Sequence, residues 1–421
     1  MRPLRFCLLT TFYPPYNFGG DGIGVQRLSR ALVERGFDVT VVHDADAYTA
    51  LSSGPEPDPT GSADGVNVIT LRSRAPRLSA LLTQQTGRPV VQGRRIQQLM
   101  DEHEFDIVHF NNVSLVGGPG LLRYGSGVKV YEAHEHWLVC PSHVLWRHNR
   151  EPCDERQCLR CVLHHRRPPQ LWRYTGTLER SLEHVDVFIA KSEFSRRKHR
   201  EFGFPRDMEV LPYFLPDRSR APAALDVERR HDRPYFLFVG RLERIKGLDD
   251  VIPVFERYHD ADLLIAGAGE YEARLRSIAG DNPRVKFLGR VEPESLDVLY
   301  RDAEALIVPS ECYETFGIIV IEAFRQGTPV IVRDIGPLPE LVERSGAGET
   351  FRTADELEVA LTRMQRDPGE RLRRAARARQ SFGEYWSESA VVPQYLEILS
   401  RAAVKRGRED IAEALEARSV A

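Results

Sequence analysis

The stretch Ser310-Glu-Cys-Tyr-Glu-Thr-Phe-Gly-Ile-Ile-Val-Ile-Glu-Ala-Phe-Arg-Gln-Gly-Thr-Pro329 places Glu314 and Glu322 eight positions apart around a Phe316-Gly317 turn. Just before it, Ala305 to Val308 is an unbroken apolar run of the kind a strand buried on both faces requires, and Ile318 to Gln326 is apolar enough for a buried helix. Glu314 then falls in a strand-to-helix loop and Glu322 about one turn inside the helix. A carboxylate in so apolar a helix is costly unless something bonds to it. The carboxyl end of such a strand, with the amides of Thr315, Phe316 and Gly317 at the helix start, is where an open α/β sheet binds anionic or hydroxyl-rich ligands.

Working outward, strand patterns alternate with helix patterns, which predicts an α/β chain with parallel sheets. Leu4 to Thr10 is followed by a glycine-rich loop and a helix over about 23–35, with Val25, Leu28 and Leu32 as its apolar stripe. Strands are expected at 38–43, 66–71, 106–110, 128–134 and 186–190. Pro212, Pro216, Arg218 to Pro222 and the polar Glu228 to Pro234 then read as a linker. The pattern restarts with strands at 235–239, 262–266, 285–288, 305–308 and 329–333. Two doubly wound, Rossmann-like domains are therefore expected, 1–215 and 220–382, facing a cleft at their carboxyl edges.

A length of 421 residues suits two cores, and 42% hydrophobic against 28% charged residues is ordinary for a globular protein. A net charge of -3 argues against a dedicated nucleic-acid binder. The apolar run Phe6 to Thr11 is too short for a signal peptide, and no run approaches transmembrane length, so a cytoplasmic protein is expected, free or peripheral at a membrane.

The 310–329 stretch resembles the Glu-x7-Glu signature of the retaining glycosyltransferases of family 4, with both glutamates, the Phe-Gly between them and Gly327-Thr328-Pro329 after them. The resemblance implies the GT-B fold and transfer of a sugar, as a hexosyltransferase, from a nucleoside diphosphate sugar to an acceptor hydroxyl with retention. It puts Glu314 by the donor sugar and Glu322 on the ribose. Residues 383–400, with Tyr385-Trp386, resemble the family's return segment to the first domain, and 401–421 is a charged tail read as a surface helix or a frayed end.

Gly240-Arg-Leu-Glu-Arg-Ile-Lys-Gly247 follows the first strand of the second domain directly. A departing diphosphate needs fixed positive charge, which Arg241 and Lys246 supply without a metal. The run matches the family's Gly-Arg…Lys-Gly phosphate site, so no cofactor is expected for catalysis. Pro15 to Gly24 is a glycine-rich loop opening the first long helix; Gly20, Gly22 and Gly24 do not fit Gly-x-Gly-x-x-Gly, and the resemblance assigns Gly19 and Gly20 to the active site. His134, ending the 128–134 strand, matches the family's sugar-contacting histidine, although Glu135 and His136 depart from the usual His-Asp-aromatic run. Arg290 lies where the family reads the nucleotide base.

Cys140, Cys153, Cys158 and Cys161 fall in a loop at 137–165 with the spacing Cys-x12-Cys-x4-Cys-x2-Cys. Clustered thiolates of this kind form a structural zinc site or remain reduced thiols under a loop, and both readings stand. Arg72, Arg74, Arg77, Arg88, Arg94 and Arg95 suit an anionic acceptor or a lipid surface, or are a solvated face. The rival functions are a sugar-nucleotide epimerase or glycan phosphorylase of the same architecture, and a sugar-nucleotide-binding protein without turnover. A dinucleotide oxidoreductase is disfavoured by its broken fingerprint. Donor base and sugar, acceptor and oligomeric state are left open by these motifs.

Overall fold

The computed structural model describes residues 2–52, 54, 56–58, 64–217 and 231–419, so the linker residues expected at Arg218 to Pro222 lie outside the described residues. The chain forms two compact units, one of residues 1–149, 154–213 and 391–421, the other of residues 150–153 and 214–390.

The first unit is built on a parallel sheet. Its strands are β1 (Arg5–Thr10), β2 (Asp38–Asp44), β3 (Asn67–Leu71), β4 (Ile107–Phe110), β5 (Val128–Ala133), β6 (Val187–Ala190) and β7 (Glu209–Val210), in the order β3-β2-β1-β4-β5-β6-β7. β1 pairs β2 on one side and β4 on the other, so Leu8 lies between Val41 and His109. The order reverses at that point: the chain runs outward through β2 and β3, then returns to the other side of β1. This reversal is the switch point of the sheet. The central strands read as continuous apolar runs because helices cover both faces, and Phe6, Leu8, Val41, Val108, Val130 and Ile189 are fully buried.

The second unit repeats the solution with β8 (Tyr235–Val239), β9 (Asp262–Ala266), β10 (Val285–Gly289), β11 (Leu306–Val308), β12 (Val330–Arg333) and β13 (Gly348–Phe351). Their order is β10-β9-β8-β11-β12-β13, with all pairings parallel. Its switch point lies between β8 and β11. β13, Gly-Glu-Thr-Phe, escaped the sequence reading because it is a four-residue edge strand with a single buried side chain, Phe351, and no apolar run. Phe324 stacks on Trp386 with ring centroids 5.4 Å apart, and Leu215 and Trp386 are joined through the backbone at 3.0 Å, which fixes both ends of this unit together.

The helix Glu388–Lys405 carries the chain from the second unit into the first, so the return expected from 383 is completed at Val391. Of the two readings of the tail, residues 401–419 take the surface helix and not the frayed end. The helix Glu409–Glu416 buries Ile411, Ala412 and Leu415, and Arg406 bonds Asp186 at 2.7 Å and the Ser126 carbonyl at 2.8 Å. Three apolar residues at i, i+1 and i+4 supply enough of a stripe to dock it.

Burial holds the ring pKa of His43, His134 and His199, all in the first unit, down at about 4 against an ordinary 6.5. The folded unit then refuses protons that the unfolded chain binds between those values, so stability falls as pH drops from 6.5 towards 4. Asp44, raised to about 7 by burial and Asp46, works in the opposite direction by about one proton. Unfolding the first unit at pH 5 should take up about two protons or more. Calorimetry in buffers of different ionisation enthalpy measures this directly, and zero net uptake would contradict the buried neutral histidines.

Candidate active site

Two loops meet at the switch point of the second unit. One leaves β8 and runs through Gly240 to Gly247; the other leaves β11 and runs from Pro309 to Gly317. They are tied by a backbone bond from Glu311 to the Ile245 carbonyl of 2.9 Å. Gly247 adopts a left-handed φ of 71°, and a Cβ there would sit 2.1 Å from the Pro309 carbonyl oxygen. Only glycine gives both the turn and the approach. The third loop, after β9, closes just as tightly, since a Cβ on Gly267 would fall 1.8 Å from the Gly240 carbonyl.

This crossing brings Lys246 and Glu314 together. Lys246 Nζ donates to Glu314 Oε1 at 2.6 Å, and Ser310 Oγ donates to the same oxygen at 3.0 Å. The two charged side chains retain 22% and 24% exposure, so the pair is sheltered but open to a ligand. Burial pushes the Glu314 carboxyl upward, but the Lys246 charge and the bonds from Lys246 and Ser310 outweigh it and hold the group below its ordinary value. Burial likewise lowers Lys246, and Glu314 outweighs it, leaving the ammonium above its ordinary value. The stability this pair contributes is full between the ordinary 4.5 and 10.5. It is lost as pH falls through the lowered Glu314 value or rises through the raised Lys246 value. Arg241, on the same loop, is 61% exposed and 3.1 Å from Glu243 Oε1.

Glu322 occupies the second turn of the helix Ile318–Gln326, half-buried, and its Oε2 accepts from the Tyr300 hydroxyl at 3.1 Å. That bond, and Tyr300 itself at the end of the helix Pro293–Asp302, went unnoticed in sequence because the two residues belong to different helices. Thr315, Phe316 and Gly317 lead directly into this helix, with Phe316 buried as its anchor. Arg290 is exposed at the carboxyl end of β10, the edge strand two places from the switch point. The backbone joins that loop to the β9 loop through Gly267 and Gly289 at 2.7 Å.

In the first unit, Gly19 and Gly20 are exposed at the start of the helix Gly20–Glu34. The glycines that packing demands there are Gly22 and Gly24: a Cβ on Gly24 would lie 2.7 Å from the Tyr213 ring. His134 is buried, and both of its ring nitrogens have protein partners, Nδ1 with the Tyr213 hydroxyl at 2.5 Å and Nε2 with Asn111 Oδ1 at 2.9 Å. Behind it lies a chain of polar groups that sequence reasoning missed. Glu132 is ion-paired with Lys191 and lies 3.1 Å from His109 Nε2, and His109 Nδ1 meets the Tyr395 hydroxyl at 2.9 Å. Lys191 Nζ sits 4.4 Å from the Tyr213 ring centroid. Burial lowers Lys191 to about 7.

The zinc reading of the cysteines, drawn from spacing, gains no support from their placement. Among the described residues, no group of three or more His, Cys, Asp or Glu side chains is placed to hold a metal ion. The cysteines form no disulfide: Cys161 Sγ accepts from the His148 amide at 3.3 Å, and Cys140 Sγ lies 3.2 Å from Ser142 Oγ. Burial raises the Cys158 and Cys161 pKa, with neighbouring Cys140 reinforcing the shift.

Two doubly wound parallel-sheet units, the second carrying an ion pair at its switch point, are the parts of a GT-B architecture. Residues 18–217 match the family model described as Glycosyltransferase Family 4, and residues 224–381 match that described as Glycosyl transferases group 1. The chain belongs to the family 4 glycosyltransferases. It is 27% identical to glycogen synthase of Mycobacterium tuberculosis over 90% of each chain. It is 26% identical to phosphatidyl-myo-inositol mannosyltransferase of Mycolicibacterium smegmatis over 93% of this chain and 94% of that protein. A shorter match, 38% identical, covers 28% of this chain and 31% of an uncharacterized glycosyltransferase of Methanocaldococcus jannaschii. Sucrose-phosphate synthase of Thermosynechococcus elongatus superposes with a TM-score of 0.73 at 21% identity, covering 96% of this chain and all of that one. Anabaena HepE, solved with UDP-glucose, superposes at 0.67 and 18% identity, covering 94% of this chain and 100% of that one.

The Gly247 turn yields a stability test with an internal control. Gly247→Ala is expected to destabilise the second unit by about 1–3 kcal/mol, because strain at positive φ is joined by a clash with backbone. Gly289→Ala, at a φ of 67° but with nothing within 4 Å, should show the conformational part alone. Equal losses in urea denaturation would mean that the close approach of the two loops is not what Gly247 serves.

Proposed function

We propose that this glycosyltransferase takes its sugar from a nucleoside diphosphate sugar and transfers it with retention at the anomeric carbon, using fixed cations at the donor diphosphate. The observation that carries the reading is the Lys246–Glu314 bond of 2.6 Å at the β8/β11 switch point, with Arg241 exposed on the same loop. Two cations and a carboxylate at the carboxyl ends of these strands are complementary to a diphosphate ester: the cations face phosphate oxygens, the carboxylate the electron-poor sugar carbon beside them. The relatives named as glycogen synthase and mannosyltransferase, and the neighbour solved with UDP-glucose, support a donor of this class.

In the proposed step, the bond from the anomeric carbon to the diphosphate oxygen breaks and its electron pair leaves with the diphosphate. Arg241 and Lys246 stabilise the charge that develops there. A bond forms from the acceptor oxygen to the anomeric carbon on the same face, and the acceptor proton passes to the departing phosphate oxygen. Glu314, held ionised by Lys246 and Ser310, stabilises positive charge at the sugar and orients its hydroxyls. Glu322 accepts from the ribose hydroxyls in addition to Tyr300. Nucleoside diphosphate release that depends on an acceptor separates this reading from an epimerase, and the anomeric configuration of the product, read from its NMR coupling constant, tests retention.

Glu322→Ala should weaken nucleotide binding by about 1–3 kcal/mol, the cost of truncating one partner of a hydrogen-bonded pair. Tyr300→Phe, which leaves the carboxylate in place, should change it far less. Calorimetry showing equal losses for the two variants would assign Glu322 to packing. By contrast, Glu314→Gln should lower turnover about 100-fold with little change in donor affinity, because its charge matters most as positive charge develops. Normal turnover at saturating donor would remove Glu314 from the mechanism.

A further inference from the structure

The helix Pro76–Thr86 is amphipathic in the wrong sense for a protein surface in water. Its packed face carries Ser79, Ala80 and Thr83, while Leu78 and Leu81 point outward with 52% and 49% exposure. A surface helix ordinarily buries its large apolar residues and shows its small polar ones. Here the arrangement is reversed.

The reversal extends beyond one helix. Residues 66–100 contain six arginines and no Asp, Glu or Lys, and residues 156–178 contain five arginines and again no carboxylate, in a chain whose net charge is -3. The two segments are adjacent in the first unit: Trp172 Nε1 donates to the Gln84 carbonyl at 2.9 Å, and Gln84 Nε2 donates to the Pro168 carbonyl at 3.0 Å. Between them they carry eight of the fourteen large apolar side chains exposed among the described residues, including Leu171 and Tyr174 beside the end of the helix. That concentration is what separates this patch from the scattered apolar residues every surface shows. Among the described residues, Arg72 is the single arginine of either segment paired with a carboxylate, Glu56. Arg74, Arg77, Arg88, Arg94 and Arg95 have their charge unspent.

We propose that this face of the first unit docks on an anionic membrane surface, with Leu78, Leu81, Val90, Val91, Leu171 and Tyr174 entering the headgroup region and the arginines around them meeting lipid phosphates. Charge of one sign interleaved with outward apolar side chains fits a planar anionic interface, where the long arginine stems reach phosphates while the apolar tips leave water. No helix among the described residues is long and apolar enough to cross a membrane, so the attachment is peripheral. The inference is independent of the donor reading, which rests on residues of the second unit.

Cosedimentation with large unilamellar vesicles tests it, comparing phosphatidylcholine alone with phosphatidylcholine containing about three-tenths phosphatidylglycerol. The full chain should sediment with the anionic vesicles, not with the neutral ones, and should be released as salt rises. Combining Arg77→Glu, Arg88→Glu and Arg94→Glu should weaken binding at least about 100-fold. Leu81→Ser with Val90→Ser and Leu171→Ser should weaken it while keeping its salt dependence, and this exposed set serves if the charge-reversed chain fails to fold. Failure of the unaltered chain to bind anionic vesicles, or undiminished binding by both altered chains, overturns the proposal. So does binding soluble polyglutamate as tightly as vesicles with no effect of the serine set, which would mark a polyanion site. Nucleotide affinity of the altered chains should be unchanged, so a loss here and a loss of the donor reading are distinguishable.

Discussion

Everything in the second unit converges on one crossing, where the loop after β8 and the loop after β11 pass within a carbonyl's width of each other at Gly247 and Pro309. The crossing sets the Lys246–Glu314 pair, and the pair makes the carboxylate affordable. A half-sheltered glutamate alone would be driven towards its neutral form by desolvation, and a half-sheltered lysine likewise. Held at 2.6 Å with Ser310 as a third partner, both stay ionised over the range where enzymes work. The pair's geometry is set by the crossing of the two loops, with no ligand present to arrange it.

The first unit uses the same strand order with a different filling. At its switch point Thr11 bridges to the loop after β4, its amide bonding the Asn112 carbonyl and its hydroxyl receiving the amides of Leu115 and Val116 at 3.3 Å. Asn112 in turn holds Asp21, at the start of the helix that follows β1, at 3.1 Å. Polar groups are consumed by one another here, in the same way that Asn111 and Tyr213 take both nitrogens of His134. One fold thus presents a partly exposed ion pair at one switch point and a satisfied polar network at the other.

What sequence revealed followed what is local. Strands and helices were legible because parallel strands covered on both faces read as apolar runs, and Glu314, Arg241 and Lys246 could be placed in loops because each follows closely on a strand end, with Glu322 inside the helix after the second loop. The engagement of His134 was not, since Tyr213 is 79 residues away and Asn111 is 23 away. Glu132, Lys191 and Tyr395 carry no pattern of their own; only the register of three strands and the return of a helix from the far end of the chain assemble them. The cysteines show the converse case, since among the described residues no three ligating side chains are placed together. Their spacing is local and metal-like, but ligation needs sulfurs that converge, and spacing says nothing about convergence.

The arginine-rich face shows the same limit from the side of charge. A net charge of -3 describes the chain as near neutral, yet residues 66–100 alone hold six positive charges and no negative one. Screening in water reduces each to a local field of about 8–10 Å, so what a partner meets is the patch and not the sum. Whether such a patch is a solvated face depends on what lies between its charges. On a solvated face the intervening positions are small or polar; on the helix Pro76–Thr86 they are leucines, and the small and polar residues have been turned inward. A chain that buries serine and exposes leucine on the same helix gives up hydrophobic stabilisation in water, and recovers it where an apolar surface covers that outer face.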